Sequence, residues 1–171
     1  MLFSLDLMFK ELVMYRIGFS EDIHPIKEGR DLVLGGVKIP STFGLDGHSD
    51  ADVVIHSLAE AILGALALGD LGTHFPDNDP KYKGISSMLL LEEVVKMMEK
   101  EGYKINNVDF QVALAKPKLA PHVLMMRENI SKALNTDLKN VSIKAMSFNK
   151  VGAIGKGEAI RSQCIVMLIK K

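Results

Sequence analysis

The chain has 171 residues, enough for one domain with a sizeable core, and 47% of them are hydrophobic, which excludes an intrinsically disordered chain. Equal numbers of basic and acidic residues, 21 of each, give a formal net charge of zero and exclude the basic face of a nucleic-acid binder. The single cysteine, Cys164, excludes a disulfide framework and a thiolate zinc cluster, and points to a cytoplasmic or similarly reducing compartment.

Taken in chain order, the first thirteen residues are apolar at the front but carry Asp6, Lys10 and Glu11. They are too short to span a bilayer and lack a basic leader. Residues 1–13 read as an N-terminal extension to a single domain over 14–171; a packed terminal helix is the rival, because Leu2, Leu5, Phe9 and Leu12 have helical spacing. Tyr15, Ile17 and Phe19 then alternate as a strand, which runs into "FSEDIH". "LVLGGVKIP" predicts a hairpin turning at Gly35-Gly36. "STFGLDGH" (41–48) reads as a loop, and a helix is expected from Ser49 to about Leu68, opened by a Ser49-x-x-Asp52 capping box. Glycines and prolines punctuate "GDLGTHFPDNDP" as a loop. A second helix is expected from 85 to about 101, a strand in "NVDFQVALA", a third helix from Pro121 to about 135, and a strand in "VSIKAMSF". "AIRSQCIVMLIK" is apolar on both faces, as in a central strand. The pattern describes one α+β, or α/β sandwich, domain: a mixed sheet covered by helices, with an N-terminal hairpin excursion.

Within this frame, Asp22 and His24 stand two apart on a strand and point to one face, a carboxylate beside an imidazole. Asp52, His56 and Glu60 recur every four residues as a polar stripe on an otherwise apolar helix. His56 completes a three-ligand set with Asp22 and His24 that leaves one position open, the pattern of a catalytic zinc. Glu60 is placed to accept the second ring N–H of His56 and fix its tautomer. Two histidines and a carboxylate also make the facial triad of non-haem iron, a reading that the flanking sequence suits less well, and a lone helix histidine is more often a surface or hydrogen-bonded core residue than a ligand.

Four stretches, "DIH", "GGVKIP", "HSDADVVIH" and "LGALALGDLGTHFPDNDP", resemble the 2-C-methyl-D-erythritol 2,4-cyclodiphosphate synthase family of the non-mevalonate isoprenoid pathway, from about Tyr15 to the C-terminus. The resemblance implies a four-stranded sheet covered by helices and a homotrimer with active sites between subunits, without a nucleic-acid or membrane partner. It also implies a cytidine diphosphate substrate, 4-diphosphocytidyl-2-C-methyl-D-erythritol 2-phosphate, cyclised by a phosphorus–oxygen lyase with release of CMP. A cytoplasmic or, in a eukaryote, plastid-type compartment is implied. One zinc per subunit falls on Asp22, His24 and His56, with magnesium or manganese at the diphosphate. His48 and Ser49 match the part that meets phosphates and hydroxyls; Asp70, Gly72 and Asp77 match the part that holds the erythritol. Leu114, Lys116, Pro117, Lys118 and Leu119 match the cytosine pocket, and Ser147 stands for a threonine that contacts phosphate. Catalytic roles are carried over to Ser147 and Asp70.

This chain departs from the family where it reads "SFNKVGAIGK". Asn149 replaces a glutamate at the second metal and weakens that site, since an amide is a poorer ligand for a hard cation. Lys156 replaces an arginine and lacks its fork, and Ala153 replaces a phenylalanine. These departures motivate an alternative: a zinc-binding homotrimer with reduced or lost turnover, acting as a ligand-binding protein.

Overall fold

In the computed structural model the described residues are 14–76, 78–82 and 84–171. The expected extension at 1–13 lies outside them. The strands are β1 (Tyr15–Glu28), β2 (Leu32–Leu34), β3 (Val37–Ile39), β4 (Phe43–Leu45), β5 (Tyr103–Ala113), β6 (Val141–Met146) and β7 (Ala159–Lys170). The helices are α1 (Val53–Leu66), α2 (Leu71–His74), α3 (Ser87–Lys100), α4 (Val123–Ala133) and α5 (Gly152–Lys156).

Five strands form one mixed sheet in the order β4-β1-β7-β5-β6, and β2 pairs with β3 in a separate hairpin. Among the described residues only β5 and β6 run parallel, joined by the crossover through α4; the other pairs are antiparallel. The expected four-stranded sheet gains an edge. The stretch read as the loop 41–48 contains β4, whose Phe43–Leu45 pair with Ile26–Glu28 of β1. Three residues between polar turns are too few to show a strand period. The expected central strand is β7, flanked by β1 and β5 over its length.

Helix α1 packs on one face of β1 and β7. Val54, Leu58, Ile62 and Leu66 are among its buried residues, and each large side chain fully removed from water contributes about 1.5–3 kcal/mol. The helix starts later than expected. Asp52, not Ser49, is its cap, accepting from the N–H groups of Val54 (3.1 Å) and Ile55 (3.2 Å). The same carboxylate accepts from the N–H groups of Gly35 (2.9 Å) and Gly36 (2.7 Å), whose φ of 60° and 71° suit a glycine hairpin turn. Asp52 therefore clasps the β2–β3 hairpin onto the start of α1. It is fully buried, and burial pushes its carboxyl up to about 6 against the pull of these N–H donors.

Among the described residues, the expected cover of helices is present on one sheet face only. On β1, Gly18, Asp22 and His24 face α1, while Tyr15, Ile17, Phe19 and Ile23 stand 50–66% exposed on the opposite face beside Ile165 of β7. Among the described residues no helix is long and apolar enough to cross a membrane.

Candidate active site

Strand β1 and helix α1 bring the candidate ligands together. Asp22 Oδ2 lies 3.2 Å from His24 Nε2 and 3.1 Å from His56 Nδ1. One donor atom from each residue falls within 4.8 Å of the others. The two strand residues share a face because they are two apart, and His56 projects from the helix turn above them. They line an open cavity of about 320 Å³, with His48, Ser49, Glu60, Gly72, Phe75 and Tyr82 among its other walls.

The electrostatics favour a bound cation. Burial alone would raise the Asp22 carboxyl, but the hydrogen bonds and charges of His24 and His56 outweigh it and hold it well below the usual carboxylate range. The hydrogen bond with Asp22 raises His24 above its ordinary value, against burial. His24 Nδ1 donates to the Asp46 carbonyl, so in the neutral ring the lone pair sits on Nε2, the atom beside Asp22 that a metal would engage. A carboxylate oxygen and two imidazole nitrogens, oriented from behind and open on the cavity side, fit zinc.

The second ring nitrogen of His56 corrects one expectation. Glu60 does not reach it; Glu60 Oε1 accepts from the N–H of Leu71 at 3.1 Å, and burial pushes its carboxyl up. His56 Nε2 instead meets Ser87 Oγ at 2.8 Å and Ser49 Oγ at 3.1 Å. Nor does Asp52 share the stripe, since it turns away to the hairpin. Ser49 is not at a helix start either; α1 begins four residues later. Arg30, absent from the expected site residues, donates through its guanidinium to the carbonyls of Gly47 and Ser49 at 2.7 Å each and pins the loop carrying His48 and Ser49. No local pattern marks it, because its contacts lie 17 and 19 residues on.

The remaining candidates divide into two groups. Asp70 caps the short α2 through Thr73, which holds its carboxyl low, and stands just outside the cavity wall that Gly72 joins. Asp77 lies outside the described residues. Leu114, Lys116, Pro117, Lys118 and Leu119 follow β5, and the N–H of Leu114 donates to the carbonyl of Met146 at 3.0 Å, which sets this loop beside Ser147. Asn149 adopts φ 48°, between Phe148 and Lys150, which are also left-handed; Lys156 lies on the adjacent α5. None of this second group lines the cavity that holds Asp22, His24 and His56 in one chain.

A mixed α+β domain in which an Asp-His-His cluster able to hold a metal ion lines a cavity describes the class of site found here. The model of the YgbB family matches residues 15–169, and the chain belongs to that family. A 2-C-methyl-D-erythritol 2,4-cyclodiphosphate synthase from Desulfitobacterium hafniense is 55% identical over 157 residues, covering 92% of this chain and 99% of the relative. Among solved structures, an IspF–CDP complex from Plasmodium falciparum superposes with a TM-score of 0.81 at 38% identity, covering 92% of this chain and 97% of that one. The bifunctional IspDF from Campylobacter jejuni superposes with a TM-score of 0.89 at 38% identity, covering 93% of this chain but 43% of that one.

Proposed function

We propose that this protein converts 4-diphosphocytidyl-2-C-methyl-D-erythritol 2-phosphate into 2-C-methyl-D-erythritol 2,4-cyclodiphosphate and CMP. The observation that carries the reading is the convergence of Asp22, His24 and His56 on one cavity in a chain of this family. In the reaction an oxygen of the 2-phosphate bonds to the β-phosphorus, the bond from that phosphorus to the bridging oxygen breaks, and CMP departs with the electron pair. No protein nucleophile is required, so rate comes from positioning and charge neutralisation. Zinc held by Asp22, His24 and His56 would supply Lewis acidity to a diphosphate oxygen. His48, Ser49 and Gly72 line the cavity and orient the phosphorylated polyol. Lys118, exposed on the loop after β5, offers charge to the nucleotide phosphates, and Ser147 offers a hydroxyl.

The reading includes a homotrimer. Two observations support it: among the described residues, the face of β1 and β7 that carries Ile17, Phe19 and Ile165 is exposed, and the 114–119 and 147–156 groups are absent from the cavity that Asp22, His24 and His56 line in their own chain. A neighbouring copy would cover the first and supply the second. The Asn149 and Lys156 departures favour a second reading, a zinc-binding trimer of low turnover. A CMP-release assay with defined zinc and magnesium separates the two. Turnover that requires zinc supports the synthase, whereas binding of the substrate without CMP release refutes it. Metal analysis that finds iron in place of zinc refutes the zinc assignment.

A further inference from the structure

Behind His56 lies a hydrogen-bonded chain that the metal ligands themselves do not account for. His56 Nε2 meets Ser87 Oγ at 2.8 Å, and the Ser87 hydroxyl donates in turn to Asp50 Oδ1. The other carboxylate oxygen, Asp50 Oδ2, accepts from the backbone N–H of Ser87 at 3.0 Å. Ser87 is the first residue of α3, and Ser86, in the capping position, makes no side-chain cap bond. Asp50 thus caps α3 from a loop 37 residues upstream, and Ser87 is fully buried.

The chain has one direction. An ionised carboxylate only accepts, so the Ser87 proton points to Asp50. The Ser87 lone pairs then face His56, which must donate from Nε2. A neutral imidazole protonated on Nε2 turns its Nδ1 lone pair toward Asp22 Oδ2, 3.1 Å away, where a cation shared with that carboxylate would take the place of the Nδ1 proton. Ser49 Oγ, at 3.1 Å, accepts the same His56 N–H less closely, and it also takes the N–H of Ala51 at 3.2 Å.

We propose that Asp50 and Ser87 are positioning residues for the metal centre, a carboxylate–hydroxyl pair that selects the Nδ1-ligating tautomer of His56 and holds its ring. The proposal rests on the reading of Asp22, His24 and His56 as metal ligands and goes beyond it, since neither Asp50 nor Ser87 lines the cavity. The arrangement also ties the start of α3 to the metal loop, so a side chain outside the cavity governs a ligand inside it.

The variant Asp50→Asn is the sharp test because it preserves shape. An amide has one acceptor where the carboxylate uses two. Either it turns its NH2 to the Ser87 N–H and loses the cap, or it donates to Ser87 Oγ. In the second case the hydroxyl turns round, donates to His56 Nε2 and places the proton on Nδ1. Zinc affinity is measured on the whole protein by chelator competition, with zinc alone and no substrate, and the visible spectrum of the cobalt-loaded protein reports ligand geometry. Ser87→Ala and Asp50→Asn are expected to weaken zinc by about 10–100-fold, the usual effect of removing an outer partner, and to alter the cobalt spectrum; Ser87→Thr, which keeps the hydroxyl, restores most of the affinity. Val94→Ala, a cavity in the buried face of α3, controls for loosening of the helix: it lowers the melting temperature and leaves zinc affinity within about threefold. Zinc affinity and cobalt spectra unchanged in both relay variants overturn the proposal, as does an equal loss in Val94→Ala. A wild-type protein that binds no zinc overturns the ligand assignment as well, which distinguishes the two failures.

Discussion

Gly18→Ala is expected to damage both the fold and the metal centre. A Cβ built on Gly18 lies 1.8 Å from the carbonyl oxygen of Ala61 and 3.0 Å from the Cβ of Ala65, both on α1. The first separation falls 1.6 Å short of the 3.4 Å at which ordinary contact begins. The obstacle is backbone, which has no rotamer to change, so α1 must lift from β1. Overpacking of this kind costs typically 1–3 kcal/mol, and the upper end, about 3 kcal/mol, applies where nothing flexible yields. For a chain of this length that lowers the melting temperature by roughly 6–12 °C. The same gap separates Asp22 and His24 on β1 from His56 on α1. Metal–ligand distances tolerate only about 0.2 Å of error, so zinc affinity falls as well. Gly64→Ala provides the control. A Cβ there meets nothing within 4 Å, and alanine is favoured over glycine inside a helix by about 0.5–1 kcal/mol, so this variant melts slightly higher with zinc unchanged. Thermal unfolding and chelator titration of both variants decide the matter. Wild-type stability and zinc affinity in Gly18→Ala would refute the argument that the close β1–α1 contact sets the ligand spacing.

Asn149→Glu is expected to lower the magnesium concentration for half-maximal CMP release by about 10–100-fold by restoring a charged ligand, with zinc content unchanged. It also costs about 1 kcal/mol, because Asn149 sits at φ 48° and asparagine tolerates that region better than glutamate; overlaid magnesium titrations at saturating zinc would show that no carboxylate is missing. Mixed trimers refolded from inactive His24→Ala and Lys118→Glu subunits should regain activity, since some interfaces then pair an intact metal half with an intact nucleotide half. Proven mixed trimers without any activity would count against a site shared between subunits.

Much of the centre was legible because it is encoded by local period. Asp22 and His24 share a face by strand alternation, and His56 lies on the helix that the apolar run of 53–66 dictates. The Gly35-Gly36 turn and the central place of β7 followed from composition in the same way. Tertiary structure decided the rest, wherever the relevant partner lies far along the chain. Asp52 looked like one step of a polar stripe, yet its charge is spent on two glycine N–H groups 16 and 17 residues back. Glu60 had the right spacing to orient His56, but Ser87, 31 residues away, holds that position. The three residues of β4 became a strand only because the end of β1 offered them an edge. Tyr15, Ile17 and Phe19 announced a strand but not which side of the sheet the helices cover; α1 settled that by packing against Gly18, whose missing Cβ admits the Ala61 backbone. Periodicity is a property of neighbours in sequence, whereas hydrogen-bond partners and layer order are chosen by which surfaces meet after the chain has folded.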